Sequence, residues 1–164
     1  MNNDTENPIV YILDANILMG FDTWMPIELN VNKSFWILLE ESLKDKKWIL
    51  LDAVVDEVRY EGDLKEWCKK QKNAGRMVRL SDDNRNRGIE INDKYPIIDE
   101  VTRRSQTDPY IIAYAEENKL KVLSREGPKK LTEKLNKIPD VCRMVGVGCE
   151  RNLLVFYKHI GYGI

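Results

Sequence analysis

The chain has 164 residues, 43% of them hydrophobic and 32% charged, which is enough apolar sequence to bury the core of one domain. Its net charge of -1 argues against a constitutively basic nucleic-acid binder, and three cysteines without a C-x-x-C pair indicate neither a disulfide framework nor a zinc site. A single histidine excludes acid–base chemistry by two imidazoles, so carboxylates must carry any catalysis.

No targeting or membrane segment is recognisable in the sequence. Its first eight residues lack the basic segment and the apolar run of a signal peptide, and no later stretch is long and apolar enough to span a bilayer. We therefore expect a cytoplasmic protein with no membrane partner.

The first third of the chain predicts two buried strands, each followed by helical sequence. The apolar run Ile9–Leu13 is typical of a strand that is buried on both faces of a parallel sheet, and residues 16–20 follow as a turn or short helix. An amphipathic helix is predicted over 34–46. The second strand is Trp48–Leu51, and the helix after it contains Glu57.

The middle third is more polar and alternates helices with one weak strand. Helices are predicted over 62–68 and 81–94, and the weak strand or connector over 77–80. Pro96 restarts a helix that we expect to extend over 96–104, and another helix is predicted over 108–118.

The last third predicts a third strong strand at Lys121–Ser124, a charged irregular segment over 126–137 and two short helices over 139–146 and 153–160. Strands that alternate with helices in this way predict one α/β domain over residues 1–164. The expected architecture is a three-layer α/β/α sandwich with a mainly parallel central sheet.

Four widely spaced carboxylates lie where a strand gives way to a helix, or within a short helix. They are Asp14, Glu57, Asp108 and Asp140. Ligands of open α/β sheets bind in the crevice beyond the carboxyl ends of the strands, so acids delivered to that edge describe a site. Like charges about 4 Å apart repel by roughly 4 kcal/mol at an effective dielectric near 20. A hard divalent cation such as Mg²⁺ or Mn²⁺ would relieve that repulsion.

Asp14 admits more than one role. It can be a metal ligand, or it can be the nucleophile of a phosphatase of the haloacid dehalogenase type. Those enzymes carry a second Asp where this chain has Asn16, so the general acid is missing here. Asp14 can also simply cap the following turn, and Asp108 can simply favour the N-terminus of its helix.

Taken in order, these segments resemble the PIN-domain nucleases. The run from Leu13 to Asn16 resembles the opening strand motif of that family, Glu57 falls at its second acid, and Asp108 opens a segment that resembles its third. The strand that ends at Ser124 resembles the one that usually ends in Thr or Ser followed by an acid. Here Arg125 and Glu126 replace the usual Asp pattern.

The C-terminal part resembles a bacterial PIN-like subgroup with an Ile-Pro-Asp-x-Cys motif, here at residues 138–142. In that subgroup Asp140 would be the fourth site acid. Because Pro139 presets the backbone at a helix start, Asp140 is expected to matter more for cleavage than Glu126, which is adjacent to Gly127 in a charged segment.

The resemblance implies a metal-dependent endoribonuclease that hydrolyses single-stranded RNA and leaves a 5′-phosphate and a 3′-hydroxyl. One or two Mg²⁺ or Mn²⁺ ions would be held by Asp14, Asp108, Asp140 and Glu57, with Glu57 as a ligand or as the base. Asn16, Ser124 and Glu126 would support the site by holding water or phosphate. The resemblance also implies the toxin of a bacterial toxin–antitoxin pair, with a small antitoxin protein and a second copy of the chain as candidate partners.

An alternative of a different class remains open: a non-catalytic PIN-like module that binds RNA or a protein. For either function, the basic residues Lys129, Lys130 and Lys134 lie between the third strand and Asp140, and they are expected to grip an RNA backbone. The basic stretch from Lys69 to Arg79 is the second candidate for that role.

Overall fold

The computed structural model describes residues 8–58 and 61–163, which form a four-stranded sheet flanked by helices. All strand pairs are parallel, in the order β2-β1-β3-β4. The strands are β1 (Tyr11–Leu13), β2 (Trp48–Ile49), β3 (Lys121–Leu123) and β4 (Gly148–Glu150). The predicted α/β class with a parallel sheet is confirmed.

Helices occupy most of the sequence between and after the strands. The helices are α1 (Ala15–Trp24), α2 (Lys33–Lys44), α3 (Val54–Glu57), α4 (Asp63–Asn73), α5 (Asp82–Lys94), α6 (Asp108–Asn118), α7 (Ile138–Val145) and α8 (Leu153–Ile160). A short 3₁₀ helix at Asn30–Asn32 precedes α2. None of the described helices is long and apolar enough to cross a membrane.

The central strand β1 is buried throughout, because helices cover both faces of the sheet. Tyr11, Ile12 and Leu13 are each no more than 2% exposed, which explains why β1 is a continuous apolar run instead of an alternating one. After β1 the chain forms β2 on one side of it, and later forms β3 on the other side. The carboxyl ends of β1 and β3 therefore flank the point where the strand order reverses, which is where open α/β sheets bind ligands.

Three predicted elements differ from the structure. The helix expected over 96–104 is wrong, because side chains bind the backbone amides that a helix would use: Asn92 Oδ1 accepts from Ile97 and Ile98, and Asp99 Oδ1 accepts from Val101 and Thr102. The weak strand over 77–80 is reduced to a single bridge between Leu51 and Val78. Strand β4 is three residues long, begins with a glycine, and was not predicted.

Several predicted helix ends are confirmed by their capping bonds. The Ser81 hydroxyl accepts a hydrogen bond from the Asn84 amide at 3.2 Å, and Asn152 Oδ1 accepts from the Leu154 amide at 3.0 Å. Gly146 ends α7 with a φ of 80°, a conformation that favours glycine. All three cysteines are free thiols.

Helices α5 and α6 pack closely, and α6 begins with Asp108. The contact depends on Gly88, since a Cβ there would lie 2.4 Å from Cδ1 of Tyr110. The preceding residue, Arg87, makes a two-pronged bond to Glu116, with distances of 2.8 and 2.9 Å.

We expect Gly88→Ala to lower the free energy of unfolding by about 1–2 kcal/mol, because overpacking against Tyr110 exceeds the gain of about 1 kcal/mol in helix propensity. Urea unfolding measures the change. The control is Asn86→Ala, an exposed position on the same helix, which should be neutral or stabilising. Equal gains in stability for both variants would mean that the α5–α6 contact is not close at Gly88.

Candidate active site

Asp14 follows β1 and is 1% exposed. Its Oδ1 accepts a hydrogen bond from the Ile17 amide at 2.7 Å and so caps α1, one of the roles considered from the sequence. Its Oδ2 is buried and has no hydrogen-bond partner within the described part of the chain. One oxygen of this carboxylate therefore caps the helix, and the other is available to bind a ligand.

Asp108 is the first residue of α6 and is 3% exposed. Its Oδ2 is a second buried carboxylate oxygen without a hydrogen-bond partner in residues 8–58 and 61–163. Burial of an unpaired carboxylate oxygen is costly, so such atoms need an explanation such as an absent water or ion.

Glu57, the last residue of α3, is fixed by the residue before Asp108. Its Oε1 accepts from the Thr107 amide at 2.7 Å and from the Thr107 hydroxyl at 2.8 Å. Thr107 is the N-cap residue of α6, but its hydroxyl donates to Glu57 instead of bonding a helix amide, and so it ties α6 to α3. This pair of bonds sets the position of Glu57 relative to Asp108.

Glu126 lies two residues beyond Ser124, the buried residue that ends the third strand segment. The Ser124 hydroxyl accepts from the Glu126 amide at 3.2 Å, and Glu126 Oε2 accepts from the Ile138 amide, also at 3.2 Å. The charges of Glu126 and Glu57 both act on Asp14 and on Asp108. These four carboxylates therefore form one electrostatic group, which we call the acid cluster.

Burial and mutual repulsion raise the pKa values of the two buried acids. Desolvation is the main cause for Asp14 and raises its pKa to about 7; Glu126 and Glu57 raise it further, while the Ile17 amide and the nearby Ser124 hydroxyl lower it. Desolvation also raises the pKa of Asp108 well above its ordinary value, followed by the charges of Asp14, Glu126 and Glu57. A bound cation would lower the pKa values of both acids, because it favours their ionised forms.

Asp140, the expected fourth acid, has its oxygens engaged elsewhere. Its Oδ2 accepts from the Lys129 amide at 2.8 Å and from the Lys137 amide at 2.9 Å, and its Oδ1 lies 3.8 Å from Nη2 of Arg143. The described contacts of Asp140 therefore close the loop over 129–137 instead of joining the acid cluster. Asp14, Glu57, Asp108 and Glu126 therefore act on one another electrostatically, whereas the described bonds of Asp140 are to the backbone amides of Lys129 and Lys137.

An open recess of about 400 Å³ lies beside the acid cluster, lined by Glu57 and Glu126 with Asn16, Arg104 and Ser105 among its other walls. Neighbouring recesses share residues with it: one of about 750 Å³ shares Glu57, and one of about 470 Å³ shares Arg104, Ser105 and Glu126. Because these three recesses share walls, we treat them together and call them the acid groove.

Comparison with known proteins assigns the chain to a family. The model of the family described as "Domain of unknown function (DUF4411)" matches residues 11–159. The chain belongs to the DUF4411 family. No curated protein matches the sequence.

Two solved structures are similar to this DUF4411 chain at low sequence identity. FitAcB from Neisseria gonorrhoeae is 16% identical with a TM-score of 0.46, over 85% of this chain and 95% of that chain. VapBC2 from Rickettsia felis, bound to a DNA fragment from their promoter, is 14% identical with a TM-score of 0.47, over 87% of this chain and 98% of that chain. These likenesses are too distant to assign an activity.

The acid cluster of this DUF4411 chain offers an incomplete set of metal ligands. Within residues 8–58 and 61–163, no three His, Cys, Asp or Glu side chains are arranged so that they could hold a metal ion by themselves. The two unpaired oxygens of Asp14 and Asp108 nevertheless suit Mg²⁺, which is commonly bound through one or two carboxylates and completes its shell with water and substrate phosphate.

Sequence reasoning did not single out two side chains that the structure places at the site. Ser105 lines the recess beside the acid cluster and lies in a turn where φ is 58° at Arg103 and 60° at Ser105. This turn lies at the end of a segment that was predicted to be helical. Trp24, in the apolar helix α1, is 44% exposed and lies beside Arg125. Neither residue carries a motif, so only the fold reveals it.

Proposed function

We propose that this protein is a metal-dependent endoribonuclease that hydrolyses phosphodiester bonds of single-stranded RNA. The observation that carries the proposal is the pair of buried, unpaired carboxylate oxygens on Asp14 and Asp108, at the carboxyl edge of a parallel sheet and beside an open groove. The resemblance of the sequence to PIN-domain nucleases supports the same reaction.

Asp14 and Asp108 would hold the Mg²⁺ or Mn²⁺ ion, with Glu57 and Glu126 adjacent. When bound, such an ion stabilises charge on the scissile phosphate and lowers the pKa of coordinated water. Glu57 keeps a fixed orientation through its two bonds to Thr107, so it can accept a proton from, or orient, the attacking water.

Glu126 is our candidate for the fourth acid, because it acts electrostatically on both buried aspartates and lines the acid groove. Asp140 then positions Glu126 indirectly: it holds the loop end at Lys137, and the next amide, that of Ile138, donates to Glu126. Asn16 is exposed on the groove wall, where its amide can donate to a phosphate oxygen. Ser124 anchors the Glu126 backbone.

A role as the toxin of a toxin–antitoxin pair, with a small antitoxin that blocks the site, is part of the proposal. It is supported by the sequence resemblance and by the open access to the acid cluster. An open groove lined by both acids and cations can also bind a partner segment that carries both charges.

Cleavage of a 5′-labelled single-stranded RNA in Mg²⁺ or Mn²⁺ tests the function. We expect the parent to cut the RNA and Asp108→Asn to lose at least roughly 100-fold in rate, since one ligand oxygen is replaced by an amide nitrogen or an uncharged oxygen. The control is Asp93→Asn, an exposed acid on α5 that should cleave like the parent. Equal cleavage by Asp108→Asn would exclude the proposed site.

A non-catalytic RNA-binding module is the second candidate, and one observation favours it. The acid cluster does not present three converging ligands within the described residues, as a strong metal site would. Isothermal titration separates the two functions. A nuclease should bind Mn²⁺, and this binding should depend on Asp14 and Asp108. A binding module should bind RNA equally well with and without the metal.

The expected RNA-binding lysines differ in their positions. Lys134 lines the part of the acid groove that also contains Arg104 and Glu126. Lys129 and Lys130 are exposed, and their backbone amides bind Asp140 and Glu133. Lys134 is therefore the member of the three best placed to contact a phosphate.

We expect replacement of all three lysines by Ala to weaken RNA binding in Ca²⁺ and to flatten its salt dependence, with Lys134→Ala alone giving most of the effect. Each lost contact with a single strand should reduce the slope of log K against log salt by about 0.7. Filter binding over a salt series measures both quantities, and Lys158→Ala on α8 is the control. If the triple variant matches the parent in affinity and slope, this loop does not bind RNA.

A further inference from the structure

Trp24 differs from the other three tryptophans of the chain in its exposure. Trp36, Trp48 and Trp67 are 5%, 0% and 7% exposed, whereas Trp24, at the end of α1, is 44% exposed. An indole on the surface is a large apolar area, and its position beside a candidate active site suggests a binding role more than a packing role.

The Trp24 ring is nevertheless held firmly on its helix. A Cβ on Gly20 would lie 2.6, 3.0 and 3.1 Å from Cη2, Cζ3 and Cζ2 of the indole, and such similar distances to three ring atoms place the ring face over the Gly20 backbone. Phe21 meets the ring edge-on with centroids 6.4 Å apart. The indole is therefore preorganised, so a ligand that stacks on it would lose little side-chain entropy.

Arg125 brings a second planar group to the same place. Its guanidinium carbon lies 4.7 Å from the centroid of the Trp24 ring, within the range of a cation–π contact. Arg125 lies between Ser124 and Glu126, so its backbone is fixed by the same residues that shape the acid cluster. Nucleobases commonly stack on both kinds of side chain. Because Gly20 lies under one face of the indole and Arg125 over the other, a base would enter between the indole and the guanidinium, and the exposed Arg125 side chain would move outward to admit it.

Trp24 and Arg125 line a small recess that reaches the acid cluster. Its volume is about 250 Å³, and its other walls are Asp14, Asn16, Ile17 and Glu126. Drug-sized ligands occupy recesses of roughly 300–1,000 Å³, so this one suits a single planar ring. Asn16 and Glu126 also line the acid groove, so the two recesses are adjacent.

We propose that Trp24 and Arg125 form a nucleobase-stacking subsite for the nucleotide next to the scissile phosphate. This inference rests on the proposed ribonuclease function and adds where the substrate base is held. A base in this recess would be attached to a phosphate at the acid cluster, because Asp14 and Glu126 belong to both. This adjacency favours a nucleotide over the side chain of a protein partner.

Intrinsic fluorescence tests the subsite directly, because the other tryptophans are buried and quenching by a ligand reports Trp24. The probes are oligoadenylate and an abasic ribose-phosphate chain of the same length, each titrated in Ca²⁺. We expect saturable quenching by oligoadenylate and much weaker binding of the abasic chain. Trp24→Ala should weaken oligoadenylate binding roughly 5- to 150-fold, the effect of losing one stacked base.

Matched variants separate stacking from general damage. Trp24→Phe should keep most of the affinity because it keeps an aromatic face, and Arg125→Lys should lose part of it because the charge remains without the plane. Leu154→Ala, at an exposed apolar position on α8 (64% exposed), should bind like the parent. Equal binding of oligoadenylate by the parent and Trp24→Ala would overturn the subsite and leave Trp24 as a contact for a protein partner.

Failure of the subsite and failure of the nuclease function give different results. RNA cleavage that depends on Asp108 but not on Trp24 overturns only the subsite. Base-dependent quenching lost in Trp24→Ala, without cleavage in any divalent metal, overturns the nuclease and supports base binding at this recess.

Discussion

The metal-free protein is expected to lose stability as the pH rises from about 4 to about 7, and Asp14→Asn should remove much of that loss. The pKa of Asp14 is raised to about 7 in the folded protein, mainly by burial, against about 3.9 in an unfolded chain. Between these values the folded state binds more protons than the unfolded state, so the free energy of unfolding falls as pH rises. Asp108 contributes with the same sign.

The size of the effect follows from the pKa difference. Asp14→Asn should raise the free energy of unfolding at about pH 8 by roughly 2–4 kcal/mol and change it little below about pH 3, where the acid is protonated in both states. The amide oxygen can still accept from Ile17, so the cap of α1 is kept. Other carboxylates with lowered pKa values, such as Glu40 and Glu116, act with the opposite sign, but they are common to both proteins and cancel in the difference.

Mn²⁺ should stabilise the parent by relieving the same repulsion. At a free concentration about a hundred times its dissociation constant, the gain is roughly 2.7 kcal/mol. Urea unfolding at several pH values, with and without Mn²⁺, measures both effects, with Asp93→Asn as the exposed control. If Mn²⁺ stabilises Asp14→Asn as much as it stabilises the parent, Asp14 is not a metal ligand. If the free energy of unfolding depends on pH in the same way in both proteins, burial does not raise the pKa of Asp14.

Glu126→Gln is expected to reduce RNA cleavage at least roughly 10- to 100-fold while leaving the protein as stable as the parent or more stable. The amide retains an oxygen that can accept from Ile138, and the loss of a negative charge eases the repulsion on Asp14 and Asp108. Single-turnover cleavage and thermal melting measure the two consequences separately.

Asp140→Asn should give the opposite pattern. Its carboxylate accepts two charge-assisted bonds from the Lys129 and Lys137 amides, and weakening them should cost about 2 kcal/mol of stability while cleavage well below the melting temperature remains close to that of the parent. Loss of cleavage in Asp140→Asn with unchanged stability would restore the order of importance expected from the sequence.

Much of the fold follows from local sequence, because strands β1, β2 and β3 are short apolar runs and several helices begin at capping residues. The sequence also locates Asp14, Glu57 and Asp108, because strand ends and helix starts are visible as patterns. The segment 96–104 was mispredicted because its apolar spacing says nothing about the side-chain bonds of Asn92 and Asp99, which compete with a helix.

The choice between Glu126 and Asp140 needed the three-dimensional contacts. A proline and an acid at a helix start are typical of a catalytic aspartate and of a capping one alike, and our proposal of Glu126 over Asp140 rests on the partners of Asp140. The exposure of Trp24 has the same cause. The ring that looked apolar and internal in α1 meets Arg125, which is remote in sequence, and no local pattern encodes that contact.

The parallel order β2-β1-β3-β4 has a consequence for how the protein is made. Strand β1 is synthesised before its neighbours β2 and β3. The last acid of the cluster in chain order, Glu126, follows β3. Contacts between such distant segments form late in folding. A nascent chain on the ribosome therefore carries Asp14 without the complete acid cluster until residue 126 has emerged. If the protein cuts RNA, the growing polypeptide does not cleave its own mRNA during most of its synthesis.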